Sequence, residues 1–244
     1  MGKREKGGFW VGSAAALFYP LSAVGKREYR GAEKLPKTGG VLLVMNHVSH
    51  FDPLCDAVFV HRNGRVPRFM AKDSLFRLPV LGRMLAGSGG ISVYRGSSEA
   101  RDSLRAAHAA LGEGKLVIIY PEGTISRDPA AWPMRGRTGV ARLALENDVP
   151  VLPAARWGTN HILDGYTKKF RPFPRKKVVT LLGDPIDLSA YRGKPITNQL
   201  LREVTDLLMT DVRDLLAEVR GEPAPAEFFR QPIRRSTEQD KDTE

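Results

Sequence analysis

Five consecutive apolar residues, Val41 to Met45, run without a break into Asn46-His47-Val48-Ser49-His50-Phe51-Asp52-Pro53. A continuous run of aliphatic side chains fits a strand covered on both faces, the environment of a central strand in an α/β sheet. Polar chemistry follows at once, and Pro53 then opens a second apolar stretch, Leu54 to Val60, that reads as a helix. Asp52-Pro53 has the form of a helix N-cap followed by proline at the first helical position. A buried strand that empties into a polar loop and then a helix is where open α/β sheets place their ligands.

His47 and Asp52 are separated by a turn of about 500° on a regular helix, so there they would not share a face. They meet only if the chain bends between them, and a strand-to-helix junction supplies that bend. A histidine held by a carboxylate is the base-and-orienter half of a catalytic triad. No fixed serine or cysteine nucleophile accompanies it, which points to a base acting on a substrate hydroxyl. The spacing equally fits an aspartate that only caps the helix, with His47 as a polar loop residue.

Two further strands end in polar chemistry. Ile91 to Tyr94 alternates apolar and polar residues, and Arg95 follows it. A guanidinium there matches the oxygens of an anionic group. Leu116 to Tyr120 reads as another buried strand and runs into Pro121-Glu122-Gly123-Thr124-Ile125-Ser126-Arg127. Gly123 lets the backbone approach a ligand closely. Between and after these lie amphipathic helices over Ser98 to Leu111 and Thr138 to Asn147, and strands over Val149 to Ala155 and Val178 to Leu182. Thr197 caps a last long helix whose stripe includes Leu200, Leu201, Val204, Leu208, Val212 and Leu215. This alternation predicts a single α/β domain with a mostly parallel or mixed central sheet flanked by helices.

Lys and Arg total 38 against 27 Asp and Glu, a formal charge of +11, which favours anionic partners without choosing among them. Cys55 is the lone cysteine, so no internal disulfide forms, and its apolar surroundings suit a small buried residue. The first basic residues, Lys3, Arg4 and Lys6, precede the apolar stretch Phe9 to Val24, which as a helix is about 24 Å long against a hydrocarbon core of roughly 30 Å. Trp10 and Tyr19 near its ends suit a segment lying among lipid headgroups. A core helix and a secretory signal share much of that pattern, although no small-x-small cleavage site follows Val24. Lys168 to Lys177 interleaves basic residues with Phe170 and Phe173, a pattern that fits a nucleic-acid surface, a lipid headgroup layer or a docking patch for an acidic protein, and equally a plain solvated loop. From Gly221 the chain is rich in proline and charge and reads as disordered.

Asn46 to Asp52 resembles the N-H-x-S-x-x-D motif of the glycerolipid acyltransferases, the family of 1-acylglycerol-3-phosphate acyltransferases. Three more motifs follow in that family's order. Gly89 to Arg95 resembles G-x-I-x-x-x-R, with Tyr94 where an aspartate is common. Tyr120 to Ser126 resembles F-P-E-G-T-R-S, with Tyr120 for phenylalanine and Ile125 for arginine, and Met134-Arg135-Gly136 resembles the F-K-x-G that often follows. Val149 to Pro153 resembles V-P-V-x-P. The resemblance covers roughly Gly39 to Leu188.

It implies transfer of a fatty acyl group from an acyl thioester, acyl-CoA or acyl-carrier protein, to the hydroxyl of a lysophosphatidate-type acceptor. No metal and no cofactor beyond that co-substrate are implied. His47 would be the base and Asp52 its orienter, with donors among Asn46 to Ser49 steadying the oxyanion. Arg95 and the Glu122-Gly123-Thr124 loop would place the acceptor phosphate, with Glu122 orienting or binding a hydroxyl. With Ile125 in place of the family arginine, Arg127 or Arg135 is expected to stand in, or the acceptor differs, glycerol 3-phosphate or another lysophospholipid being the alternatives. Residues 1–30 are expected to associate with an anionic membrane at its cytoplasmic face, as a peripheral or monotopic segment. Residues 31–220 would form the acyltransferase domain and 221–244 a disordered charged tail, with no nucleic-acid partner. A basic membrane- or nucleic-acid-binding protein without enzymatic activity would need only the charge, and would be indifferent to His47.

Overall fold

Val41, Leu42, Leu43, Val44 and Met45 are all fully buried, and their alternation divides the core in two. Leu42 and Val44 face one layer and Val41, Leu43 and Met45 the other. Each such side chain contributes roughly 1.5–3 kcal/mol through burial. This is β2, and around it the computed structural model, which describes residues 5–94 and 99–229, builds a seven-stranded sheet.

In chain order the elements are α1 (Phe9–Ser22), β1 (Lys26–Arg30), β2 (Val41–Met45), α2 (Asp52–Arg62), β3 (Pro67–Lys72), α3 (Asp73–Phe76), α4 (Leu81–Gly87) and β4 (Ile91–Val93). Then come α5 (Glu99–Gly112), β5 (Leu116–Ile119), α6 (Gly139–Glu146), β6 (Val151–Trp157), β7 (Lys177–Leu182) and α7 (Asn198–Arg220). The strand order is β1-β7-β6-β2-β5-β3-β4. Every neighbouring pair is parallel except β6 and β7, so the sheet is mixed. Helices α5, α6 and α7 cover the face of Leu42 and Val44, while α2 and Phe18 of α1 cover the other. Because β2 and β5 are parallel neighbours, the loops that follow them leave the sheet at one edge, side by side.

Three expected boundaries move. Lys26–Arg30 pairs in register with Lys177 to Leu181, so the last five residues of the expected N-terminal segment belong to the sheet. The tail is folded as far as Phe229: Arg213 lies over the Phe228 ring at 5.2 Å, and the Arg135 amide donates to the Phe229 carbonyl. Asp52 is the first residue of α2 and not its cap, a position held by Phe51. Its carboxylate turns back toward the preceding loop, away from the helix amides that a cap would satisfy. Thr197 does cap α7, its hydroxyl accepting from the Leu200 amide at 3.1 Å. Ser98 and Arg95 lie outside the described residues.

Candidate active site

The loop after β2 folds around one carboxylate. Asp52 Oδ2 accepts from the Val48 amide at 2.7 Å, the Ser49 amide at 2.8 Å and His47 Nδ1 at 2.9 Å, and Oδ1 accepts from the Thr159 hydroxyl. Asp52 is wholly buried, whereas the His47 side chain keeps 14% of its surface. With Nδ1 bound to Asp52, the other ring nitrogen, Nε2, remains for the cavity that His47 lines. The bend between the two residues is thus a ring of hydrogen bonds closed on Asp52.

The loop after β5 clamps the same histidine by its backbone. The His47 amide donates to Glu122 Oε1 at 2.9 Å, and the Ser126 amide donates to the His47 carbonyl at 2.7 Å. Glu122 Oε2 accepts from the Met134 amide at 2.9 Å. Burial pushes the Glu122 carboxyl up to about 8, although both of these N–H donors pull the other way.

The expected substrate contacts separate into two groups. Asn46 is buried with its amide spent on Arg156: Nδ2 donates to the Arg156 carbonyl at 2.9 Å and Oδ1 accepts from its amide at 2.7 Å. Ser49 is buried with its hydroxyl donated to the Leu163 carbonyl at 2.6 Å. Glu122 is spent as described. These three hold the loops together and do not line the cavity, because a polar side chain at a buried strand end satisfies backbone groups first. The amides of residues 47 to 49 are equally committed to Glu122 and Asp52, so they are not the oxyanion donors expected there. Gly123, Thr124 and Arg127 do line the cavity. Arg135 instead pairs with Asp206 at 3.6 Å, and it is Arg137 that faces the cavity. The Arg137 guanidinium lies across Gly123, where φ is +69° and a Cβ would stand 2.7 Å from Nε.

The cavity has a volume of about 1080 Å³. Its floor is apolar, built from Ala14 and Phe18 of α1, Leu54 and Val58 of α2, Met84 of α4 and Ile119 of β5. Its cationic groups, Lys72, Arg127, Arg137 and Arg142, accompany His47 and the 123–125 loop. Ile125 is buried and apolar where the family motif has arginine. Such a space has room for a long apolar group, with cationic side chains in its wall. Cys55 is no competing nucleophile: burial pushes its thiol up to about 12.

Sequence reasoning missed Thr159, Asp56 and Arg156. Thr159 follows β6 as His47 follows β2, so the same strand-to-polar signal marked its loop. Asp56 and Arg156 are charges inside apolar stretches, and a buried charge demands a partner. They are each other's: Asp56 Oδ1 accepts from Arg156 Nε at 2.9 Å and from Nη2.

Fold and site together describe an open α/β scaffold that holds a His–Asp pair at an apolar cavity rimmed by cations. The chain belongs to the acyltransferase family, whose model matches residues 26–157. It is 31% identical over 140 residues to the 1-acyl-sn-glycerol-3-phosphate acyltransferase of Borreliella burgdorferi, covering 54% of this chain and 51% of that one. It is 27% identical over 151 residues to the chloroplastic 1-acyl-sn-glycerol-3-phosphate acyltransferase BAT2 of Brassica napus, covering 62% and 42%. The chain thus spans about half the length of the curated relatives it matches. The crystal structure of PlsC, the 1-acyl-sn-glycerophosphate acyltransferase of Thermotoga maritima, shares the fold, with a TM-score of 0.65 at 23% identity over 88% of this chain and 81% of that one.

Proposed function

We propose that this protein transfers a fatty acyl group from an acyl thioester, acyl-CoA or acyl-carrier protein, to the free hydroxyl of 1-acyl-glycerol-3-phosphate, giving phosphatidic acid. The observation that carries the reading is His47: its Nδ1 is fixed by Asp52 at 2.9 Å while the ring borders an apolar cavity of about 1080 Å³. His47 Nε2 takes the hydroxyl proton as that oxygen attacks the thioester carbonyl. Asp52 holds the tautomer and offsets the charge of the imidazolium. The tetrahedral intermediate expels the thiolate, and the imidazolium returns its proton to the sulfur, which restores the base. No cofactor beyond the thioester enters this scheme. Arg127 and Arg137, beside Gly123 and Thr124, bind the acceptor phosphate, and the apolar floor takes an acyl chain.

The exposed stripe of α1, Phe9, Leu17 and Leu21, with the net positive charge, supports a peripheral or monotopic seat on an anionic membrane, which the proposal sets at the cytoplasmic face. Among the described residues no helix is long and apolar enough to cross a membrane. A buried Ile125 favours, as a second reading, an acceptor whose phosphate sits differently, such as glycerol 3-phosphate or another lysophospholipid. A labelled acyl thioester offered with lysophosphatidate, glycerol 3-phosphate and neutral lysophospholipids decides between them. The proposal predicts label in phosphatidic acid. Label only in another product would support the second reading, and no transfer to any acceptor would support a non-enzymatic binder.

A further inference from the structure

Behind the His47 imidazole lies a second set of charged groups, sealed from water. Asp56 stands one helical turn beyond Asp52 on α2 and is wholly buried, as is Arg156 of β6. Besides its bonds from Arg156, Asp56 accepts at Oδ2 from the Tyr120 hydroxyl at 2.5 Å. The Tyr120 ring in turn lies flat on the His47 ring, with centroids 4.4 Å apart and planes 15° apart. The set closes on the other side as well, because the Arg156 backbone is bonded through both its N–H and its carbonyl to Asn46, the residue before His47.

Stability does not account for this arrangement. Burying two charges costs several kcal/mol per ion, and apolar side chains of similar volume commonly serve a core as well or better. Burial, with the Asp52 charge nearby, pushes the Asp56 carboxyl up. The guanidinium opposes that, and both carboxyl oxygens are held, Oδ1 by Arg156 and Oδ2 by the Tyr120 hydroxyl. Burial and that carboxylate hold the Tyr120 hydroxyl well above its usual range, so it remains a donor.

We propose that Tyr120, Asp56 and Arg156 are positioning residues for His47: Arg156 fixes Asp56, Asp56 fixes the Tyr120 ring, and that ring fixes the plane of the imidazole. The Asp52 hydrogen bond holds His47 through one ring atom, Nδ1, at one edge of the imidazole. A ring stacked on its face adds a second restraint on the imidazole plane and keeps Nε2 aimed at the substrate hydroxyl, where small errors of aim are costly. A phenol donating to a carboxylate is also richer in π electrons, which favours the imidazolium formed in the reaction. The inference rests on the reading of His47 as the base.

Tyr120→Phe tests it with least risk to folding, since the ring is kept and only the hydroxyl tied to Asp56 is lost. The expected result is a fall in kcat of about tenfold, or about 1.4 kcal/mol, with KM for both substrates unchanged. Combined with Asp56→Asn, it should cost no more than Asp56→Asn alone, because both break one chain of contacts. The His47 ring-proton resonance, assigned by its loss in His47→Ala, should shift in free Tyr120→Phe protein toward that of an unconstrained imidazole. An unmoved resonance, or losses that simply add, would overturn the proposal. The resonance needs no substrate, so it decides the positioning role even if acyl transfer itself is absent from the wild type.

Discussion

Glu122 shows how far a residue's role can depart from its place in a motif. It follows a buried strand and precedes a glycine, as a ligand-binding carboxylate would, yet it faces inward and bridges the His47 and Met134 amides. Its folded-state value of about 8 stands above the ordinary glutamate value of 4.5. Between those two values the unfolded chain has lost the proton and the folded chain keeps it, so stability falls as pH rises through this window and levels off above it. The melting temperature of the wild type should therefore decline from about pH 5 to pH 8 more steeply than that of Glu122→Gln, which has no proton to lose there. Equal slopes would show that the buried carboxyl is ionised throughout. The same residue marks the limit of sequence reading. The contact of His47 with Asp52 was legible as one of two readings, because a strand-to-helix junction allows the bend that joins them, and the motif resemblance favoured it over a plain helix cap. The direction in which Asn46, Ser49 and Glu122 point was not, since loop backbone competes with substrate for every polar side chain. Arg135 and Arg137 differ for a similar reason: Asp206 of α7, far away in sequence, claims the first.

At the scale of elements, long apolar runs and amphipathic helices were read correctly and the charged strand β1 was not. Strands β2, β5, β6 and β7 announce themselves by continuous burial. β1 is Lys-Arg-Glu-Tyr-Arg, an edge strand whose charges discourage further pairing, and nothing in that composition separates it from a linker. α1 is legible in its length and not in its partners. It packs against α2 and α4, and Tyr19 reaches His61 of α2 at 3.0 Å. Phe9 is 78% exposed, and Leu17 and Leu21 also stand out. If this stripe enters the headgroup layer, Phe9→Ser with Leu17→Ser should weaken binding to vesicles containing anionic phospholipid by about tenfold or more. The far-ultraviolet circular dichroism should not change. Binding that falls with salt yet ignores both substitutions would assign the attachment to charge alone.

Across the whole molecule, the parallel β2–β5 pair explains why distant stretches of chain form one site. The two strands deliver adjoining loops to the same edge of the sheet, and β6 adds Thr159 and Arg156 beside them. Helices α1, α2 and α4 then line an apolar space that reaches those loops. Under the proposed function, sheet, dyad and cavity serve one end: a fixed base meets a hydroxyl at the head of a long apolar chain. Substitution of the base tests it most directly, in a transfer assay with labelled acyl thioester and lysophosphatidate. His47→Ala, folded as judged by circular dichroism, should lose about 10²- to 10⁴-fold in kcat. Asp52→Asn should lose activity as well. Full transfer by the His47→Ala protein would contradict the account.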